Sequence, residues 1–466
     1  MKLILFFFSL ISLCFSFEYN KKIVRVYIIE INPILTSVTN YDLYPNNDGH
    51  PYVSEYFSHS KERTLNELKQ DIEYASHGKV MIEFVGHQIL DEFPLYQQKV
   101  QLLNGQYDYK FDEETYISMS KMENDPYKGD WYQLYYHPKF NEMGDFQFNY
   151  DYIIERFDLD KLKKKNVFDH VWLLGIDPLS TYESIMVGSN PYWINGKANT
   201  RDCKNFMLLT VSFSRRDSNL HRLGHAFEDL INYPFTGTFS NFDKDYNDKT
   251  EENYEKLNEW DKFTLINMRS KGENAGVGIV HFPFNGVEDY DYDNKEMVYS
   301  NWEYWANYPN IKGEKKKYNS QVWMNLADND YIKMDPQQNR NMDRLYIRFW
   351  MSMFPHIDGY TKTGQLNNWW DYYTNCDYVL NLRADNNVVT GSVGYEVPLN
   401  YNVYYNSGEV ENIRYVTRGD NIQINGNCVD FKNDKLIGIK RESCTLTIYR
   451  DSKSLTFIIN INYKSQ

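Results

Sequence analysis

Cysteine, clustered positive charge and long hydrophobic stretches are all scarce in this sequence. The 466 residues include 5 cysteines and carry a formal net charge of -14, from 50 basic and 64 acidic residues. Basic runs do not extend beyond Lys163–Lys165 and Lys315–Lys317. Because nucleic-acid binding depends on clustered Lys and Arg that release counterions, we expect no nucleic-acid partner. No Asn-x-Ser/Thr sequence occurs either, so we expect no N-linked glycan on the surface.

The one long hydrophobic stretch lies at the N-terminus. An apolar run from Leu3 to Phe15 follows a single lysine, and Ser16 is a small residue of the kind that precedes a signal cleavage site. A run of about thirteen residues is too short to cross a bilayer comfortably. We therefore predict a signal peptide over residues 1–16, a mature protein that is secreted to an extracellular compartment, and no membrane insertion.

Four of the cysteines lie beyond the predicted signal. An even number in an oxidising compartment predicts two disulfides. Cys428 and Cys444 both fall in the C-terminal region, so we expect them to pair with each other. That leaves Cys203 for Cys376, although four cysteines allow three pairings and the sequence alone does not choose among them.

The larger, N-terminal part of the chain combines strand and helix patterns. Runs of β-branched residues predict strands, and apolar residues at helical spacing predict helices. The predicted strands are Lys22–Ile31, Lys79–Phe84, Phe168–Leu174 and Asn205–Phe213, and the predicted helices are Glu62–His77, Asp151–Lys164 and Met342–Phe354. We therefore predict an α/β domain over residues 17–375, a mixed sheet flanked by helices with a zincin-like relation of strand to helix.

The C-terminal part follows a different pattern. From Asp377 onwards, short alternating strands are separated by turns rich in Asn and Gly. That pattern is typical of a small all-β sandwich. We predict an immunoglobulin-like sandwich over residues 376–466.

The most informative stretch of the chain runs from His221 to Glu228. On a helix, residues three and four apart project from one face. His221, His225 and Glu228 would therefore present two imidazoles and a carboxylate together, which are ligand types that zinc binds. Apolar residues on another face support the helix, and Pro234 is expected to end it.

This helix lacks the general base that zinc peptidase helices carry. The H-E-x-x-H motif has Glu directly after the first His, and the inverted H-x-x-E-H motif has it directly before the second. Arg222 and Gly224 stand at those two positions here. The helix thus predicts metal ligands without a local base, and an enzyme would need a carboxylate from elsewhere in the chain.

Several segments, taken in order, resemble a family of secreted microbial proteins. That family has a W-E-S-x-M-like segment, an H-x-x-G-H-x-x-E helix, a G-x-x-H-x-P-x-N block with a D-Y-D-Y run, and an N-W-W segment after a helix ending in F-W-x-x-x-x-P. The matching residues here are Phe168–Leu173, Tyr182–Gly188, Trp193, Asn195, His221–Glu228, Gly278–Asn285, Asp289–Tyr292, Phe349–Pro355 and Asn368–Trp370. Tyr182 stands where the family usually has Trp. The resemblance covers most of residues 20–375 and implies site residues rather than an activity, and residues 376–466 resemble bacterial immunoglobulin-like modules.

These residues combine into one hypothesis for a site. His221, His225 and either His281 or Glu228 would bind Zn²⁺, with water in the fourth position. Glu183 would be the missing general base, reaching the site through space. The sequence thus predicts a secreted zinc-dependent, peptidase-like hydrolase that acts on an extracellular protein or glycan. The candidate partners for the imidazole N–H groups are Asp169, Asp289 and Asp291.

Two alternatives remain open. In the first, the two helix histidines are hydrogen-bonded in a polar core and Glu228 pairs with a nearby arginine. In the second, the protein is a non-catalytic extracellular carbohydrate- or cell-wall-binding protein derived from such an enzyme. Arg222 at the usual position of the base favours the second alternative. Clustering of Glu183 and His281 with the helix would favour the enzyme.

Aromatic residues make up 17% of the chain, including 41 Tyr and 10 Trp. Exposed aromatic rings can bind sugars, but an AT-rich genome also enriches Tyr, and we favour this compositional explanation. For Trp369 and Trp370 we expect a hydrophobic contact with the helix that carries Phe349 rather than a sugar platform.

Overall fold

A computed structural model describes most of the chain. The described residues are 21–33, 61–93, 95–102, 104–110, 112–114, 148–175, 181–212, 218–236, 254–270, 275–314, 316–325, 340–361, 365–376, 379–405, 410–416, 422–450 and 453–463. The predicted signal peptide, residues 1–16, lies outside these ranges.

The N-terminal part is built on one large sheet. Its strands and those of three hairpins are β1 (Lys22–Ile31), β2 (Val80–Leu90), β3 (Leu95–Gln101), β4 (Tyr107–Lys110), β5 (His170–Gly175), β6 (Ser184–Gly188), β7 (Asn199–Thr200), β8 (Phe206–Ser212), β9 (Val298–Ser300), β10 (Lys316–Tyr318), β11 (His356–Tyr360) and β12 (Leu366–Asn368). The six-stranded sheet has the order β2-β1-β5-β8-β6-β7. Strands β2, β1, β5 and β8 run parallel, and β6 pairs antiparallel with β8. The sheet is therefore mixed, as predicted.

Helices cover this sheet. They are α1 (Lys61–Ala75), α2 (Tyr150–Arg156), α3 (Leu159–Lys164), α4 (Asn219–Thr236), α5 (Glu259–Thr264), α6 (Asn267–Ser270), α7 (Gln321–Met324), α8 (Arg340–Ser352) and α9 (Trp370–Thr374). Short 3-10 helices occur at Tyr254–Lys256 and Trp302–Asn307. Among the described residues, no helix is long and apolar enough to span a membrane.

The central strands are buried on both faces. Every residue of β5 and of β8 is buried, which is typical of parallel strands covered by helices on each side. Alternate residues of β1 contribute to separate cores: Val24, Val26 and Ile28 to one, Ile29 and Ile31 to the other. The first core also contains the apolar residues of α4 and α8, so these two helices pack on the same face of the sheet.

The aromatic residues near the end of this part belong to the first core. Trp369 and Trp370 are both 0% exposed. Their rings lie 6.2 and 5.8 Å from the ring of Phe354, which lies two residues beyond the end of α8. The predicted hydrophobic contact is confirmed, and these two side chains offer no surface to a sugar.

Two predicted helices differ from the observed ones. The predicted helix Asp151–Lys164 is two helices, because Asp158 adopts a left-handed backbone with φ of 50° and interrupts the hydrogen-bond ladder. Helix α4 does not end at Pro234 but continues to Thr236. Proline removes one backbone donor in the last turn of the helix, and two further residues can keep helical dihedrals beyond it.

The C-terminal part consists of β-strands. They are β13 (Val379–Arg383), β14 (Val388–Ser392), β15 (Tyr401–Tyr405), β16 (Val410–Ile413), β17 (Ile422–Asn425), β18 (Val429–Lys432), β19 (Lys435–Gly438), β20 (Ser443–Arg450) and β21 (Lys453–Asn462). One sheet has the order β13-β15-β16 and another the order β14-β21-β20-β17. Both sheets contribute residues to one shared core, for example Val403 and Phe457. The prediction of an α/β region followed by a β-sandwich is confirmed.

The disulfide prediction is right for one pair and wrong for the other. Cys428 and Cys444 form a disulfide, with their Cα atoms 5.6 Å apart. Cys203 and Cys376 are buried thiols outside any disulfide. Cys203 belongs to the core on one face of the large sheet and Cys376 to the core on the other. The sheet lies between these cores, so the predicted pairing is wrong.

Candidate metal site

Helix α4 carries the predicted ligands and is tied to the sheet at its first residue. The Asn219 side chain accepts a hydrogen bond from the backbone N–H of Ser212 at 2.7 Å and donates one to the carbonyl of the same residue at 2.8 Å. Because Ser212 ends β8, this pair of bonds fixes where the helix starts relative to the sheet. One turn of helix then brings His221 and His225 onto the same face, as their spacing predicts.

Three histidines converge at one point. The Nε2 atom of His225 lies 3.1 Å from Nε2 of His221 and 3.0 Å from Nε2 of His281. Among the described residues, the ligand atoms of these three side chains all lie within 4.8 Å of one another, and together they could hold a metal ion. The predicted approach of His281 to the two helix histidines is therefore found.

The segment that carries His281 is held by helix α8. The hydroxyl of Tyr346 donates to the carbonyl of Ile279 at 2.9 Å, and the indole N–H of Trp350 donates to the carbonyl of Gly278 at 2.8 Å. Gly278 has a φ of 108°, and an added Cβ would lie 2.4 Å from a carbonyl oxygen. Only glycine fits there. The turn before His281 is thus fixed by its glycine and by two aromatic side chains of α8.

Gly224 allows this segment to approach the helix. A Cβ at Gly224 would lie 2.9 Å from Cγ2 of Val280, closer than real side chains pack. Val280 directly precedes His281, so a larger residue at position 224 would push the third histidine away. This close approach is a physical reason for glycine between His221 and His225.

Two imidazoles of the cluster have a carboxylate within hydrogen-bond distance of their other nitrogen. His221 Nδ1 lies 2.9 Å from Oδ1 of Asp343, and His225 Nδ1 lies 2.8 Å from Oε2 of Glu228. The contact is looser for His281, whose Nδ1 lies 3.5 Å from an oxygen of Asp289. A carboxylate that accepts the Nδ1 proton leaves the Nε2 lone pair facing the centre, which is the usual arrangement behind metal-binding histidines.

In the structure, Glu228 does not occupy the position of a third metal ligand, the role that the sequence left open for it. Besides contacting His225, it accepts a hydrogen bond from the backbone N–H of Val280 at 2.9 Å through its other oxygen. Both oxygens are therefore engaged away from the point where the Nε2 atoms meet. The geometry makes His281 the third candidate ligand and Glu228 the partner that orients His225.

Asp343 was not among the predicted residues. It lies on α8, three residues before Tyr346 and seven before Trp350, so the three side chains share one face of the helix. That face therefore contacts both His221 and the segment that carries His281. An acidic residue on an otherwise aromatic helix face was the available signal.

Two of the predicted carboxylate partners lie elsewhere. Asp169 accepts hydrogen bonds from the backbone and side chain of Arg25, at the N-terminal end of β5. Helix α4 follows the C-terminal end of the parallel strand β8, so Asp169 belongs to the opposite edge of the sheet. Asp291 accepts from the backbone N–H of Val287 and the amide of Asn294. The predictions for Asp169 and Asp291 are wrong, while Asp289 lies next to its expected partner.

Glu183 approaches the cluster from the sheet. Its Oε2 lies 3.9 Å from Nε2 of His225, and the amide of Asn195 donates to the same oxygen at 2.5 Å. The backbone N–H of Asn195 donates in turn to Asp229 of α4 at 2.9 Å. The side chain of Glu183 is 36% exposed. Asn195, itself held by helix α4, thus orients the carboxylate of Glu183 towards Nε2 of His225.

The charges around the cluster favour a cation at its centre. Burial opposes the charge on Glu183, but the nearby imidazoles of His225 and His221 and the guanidinium of Arg222 outweigh it and lower the pKa of this carboxyl. Burial likewise opposes the charge on His225, yet Glu228 and Glu183 raise its pKa to about 9. Burial and the charges of His225 and His221 lower the pKa of His281 to about 2. The carboxylates of Glu228 and Glu183 thus favour positive charge at His225, and a single cation could bind all three rings.

The chain matches no protein-family model, and neither curated protein sequences nor solved structures include a significant match.

Proposed function

We propose that this protein is a zinc-dependent hydrolase whose site is formed by His221, His225, His281 and Glu183. The observation that carries the proposal is the position of Glu183, with one oxygen 3.9 Å from Nε2 of His225. That separation is too long for a direct hydrogen bond and suits one bridging water. A cluster of histidines alone would support only metal binding.

The donor set fits a catalytic zinc ion. Three imidazoles leave one position open for water or substrate, and zinc bound in this way lowers the pKa of its water towards ~7 and polarises a carbonyl group. The carboxylates behind His221 and His225 hold both rings in the tautomer that binds metal through Nε2.

Glu183 supplies the base that the helix lacks. It takes a proton from the attacking water, whose oxygen then bonds to the carbonyl carbon of the substrate. Glu183 returns that proton to the leaving nitrogen as the carbon–nitrogen bond breaks, so that one water is added across the bond. Asn195 holds the carboxylate of Glu183 towards the site during both transfers. Arg222, at the usual position of the base, contributes positive charge that keeps Glu183 ionised.

Peptide bonds of an extracellular protein are the substrate that we propose. Two histidines four residues apart on one helix are the arrangement of zinc peptidases. The Cys428–Cys444 disulfide supports an oxidising compartment, which agrees with the secretion signal predicted from the sequence.

The test compares the zinc-loaded wild type with Glu183→Gln on an unfolded protein substrate and on a pool of fluorogenic peptides. Glu183→Gln should keep one zinc ion and lose roughly 10²–10⁴-fold in kcat, because a general base contributes about that much. Glu303→Gln is the matched control, since Glu303 pairs with Lys316 on the surface. Chelation should abolish activity and zinc should restore it.

Two results would count against the hydrolase. The first is a Glu183→Gln variant that cleaves as fast as the wild type. The second is a zinc-loaded wild type that cleaves neither substrate, which would instead favour the non-catalytic carbohydrate- or cell-wall-binding protein.

A further inference from the structure

The hydroxyl group of Tyr290 lies beside the histidine cluster, next to the Nε2 atom of His281. The hydroxyl oxygen lies 3.0 Å from Nε2 of His281, the atom that also lies 3.0 Å from Nε2 of His225. An imidazole nitrogen offers one lone pair or one proton in the plane of its ring. It cannot form two good hydrogen bonds at once. A hydrogen bond from Tyr290 alone therefore does not explain why Nε2 of His281 lies close to both His225 and the phenol oxygen.

The ring of Tyr290 is held over the cluster. It stacks on His221, with ring centroids 5.7 Å apart and an interplanar angle of 17°, and its centroid lies 4.4 Å from that of His281. Its backbone N–H donates to the carbonyl of His281 at 2.9 Å. The side chain is nevertheless 52% exposed. Tyr290 therefore covers the histidines from the solvent side without being locked into a core.

The backbone of Tyr290 is unusual for an aromatic residue. Its φ is 61°, in the left-handed region that carries an energetic cost for a non-glycine residue and that often marks functional sites. Glycine would occupy this turn without that cost. The tyrosine side chain therefore stands over the cluster on a backbone that glycine would fit more easily.

Three consecutive separations between the donor atoms are compatible with four ligands around one ion. Bonds of about 2.0–2.1 Å in a tetrahedral site separate neighbouring donor atoms by about 3.3–3.4 Å. The three measured separations in the series His221, His225, His281 and Tyr290 are 3.1, 3.0 and 3.0 Å. Each of these three pairs is a few tenths of an ångström closer than in such a site, and the ligand atoms of the three histidines all lie within 4.8 Å of one another.

We propose that in the resting site the phenol oxygen of Tyr290 occupies the metal position that the three imidazoles leave open, and that water or substrate displaces it. This inference rests on the metal site of the proposed function but not on the hydrolysis of any bond. Since Tyr290 is half exposed, its side chain can swing outwards to make room for a carbonyl oxygen. Glu183 approaches His225 separately and keeps its place while Tyr290 moves.

The test uses the copper-loaded protein, because a tyrosine that releases its phenol proton to solvent and binds Cu²⁺ through oxygen gives a visible charge-transfer band that imidazole ligands do not give. The wild type should show this band. Tyr290→Phe should bind one Cu²⁺ without the band and should bind Zn²⁺ more weakly than the wild type. Tyr299→Phe is the matched control, because Tyr299 is also exposed and lies against Lys317 instead. It should keep the band.

Acetohydroxamate, which binds metal through two oxygens, tests displacement. Added to the copper-loaded wild type, it should remove the band while the copper content stays constant. A wild type that binds one Cu²⁺ per chain with the spectrum of Tyr290→Phe would overturn the inference and leave the proposed function standing. A band that survives saturating acetohydroxamate would overturn displacement. A wild type that binds neither metal would overturn both the inference and the proposed function.

Discussion

Replacing Glu228 by glutamine is a sharp test of how the site is organised, because the change keeps the size of the side chain. The two carboxylate oxygens accept from Nδ1 of His225 at 2.8 Å and from the backbone N–H of Val280 at 2.9 Å. A glutamine has one accepting oxygen and one donating amide, so it cannot satisfy both partners.

Each orientation of the glutamine weakens the site. If its oxygen faces Val280, its amide donates to Nδ1 of His225, and the ring proton moves to Nε2, where the metal should bind. If its oxygen faces His225, two N–H donors oppose each other beside Val280, and a buried unsatisfied donor costs about 1–3 kcal/mol. We expect zinc affinity to fall by roughly 10–100-fold, the usual effect of losing the partner of a metal-binding histidine. That corresponds to about 1.4–2.8 kcal/mol.

The assay is a zinc titration of Glu228→Gln in competition with a chromophoric chelator, with circular dichroism to confirm that the fold is kept. Glu303→Gln serves as the control, because it makes the same chemical change on a surface ion pair. A Glu228→Gln protein that folds normally and binds zinc as tightly as the wild type would refute the assignment of Glu228 as the partner of a metal ligand.

Two further predictions follow from the same geometry. Gly224→Ala would ordinarily stabilise a helix by about 0.5–1 kcal/mol, but here the new Cβ would lie 2.9 Å from Val280. We therefore expect a net loss of about 1 kcal/mol from overpacking in urea unfolding, with weaker zinc binding, and a gain in stability would contradict the packing argument. The raised pKa of His225, about 9, means that the metal-free ring holds a proton at neutral pH. Zinc must displace that proton, so affinity should rise with pH and level off above about 9; calorimetry in buffers of different ionisation enthalpy should detect the release at pH 7, and a pH-independent affinity would contradict it.

The parts of the site that depend on local spacing could be predicted from the sequence. His221 and His225 share a face because they are one helical turn apart. The contact between His225 and Glu228 could also have been predicted, since residues three apart on a helix are neighbours. The chemical role of Glu228 could not be predicted, because the spacing does not show whether its carboxylate accepts the ring proton of His225 or binds the metal ion.

The parts that depend on distant segments needed the structure. His281 lies 56 residues beyond His225, and Asp343 lies 122 residues beyond His221. The family resemblance suggested His281. The acidic residue on an otherwise aromatic helix face marked Asp343 as unusual, but it did not indicate that Asp343 would contact His221. The face of the sheet on which each cysteine lies also depends on distant segments. For this reason the pairing of Cys203 with Cys376 was predicted wrongly. Strand β1, by contrast, has the predicted bounds because its run of β-branched residues is a local signal.

The central claim is that His221, His225 and His281 together bind one divalent metal ion. Its most direct test is the zinc content of the purified protein after dialysis against buffered zinc, measured by mass spectrometry for the wild type, for His221→Ala with His225→Ala, and for His281→Ala. His87→Ala is the control, because His87 pairs with Glu30 away from the cluster. We predict one zinc per chain in the wild type and the control and none in the two cluster variants; a wild type without stoichiometric zinc, or a His281→Ala protein that retains it in full, would contradict the account.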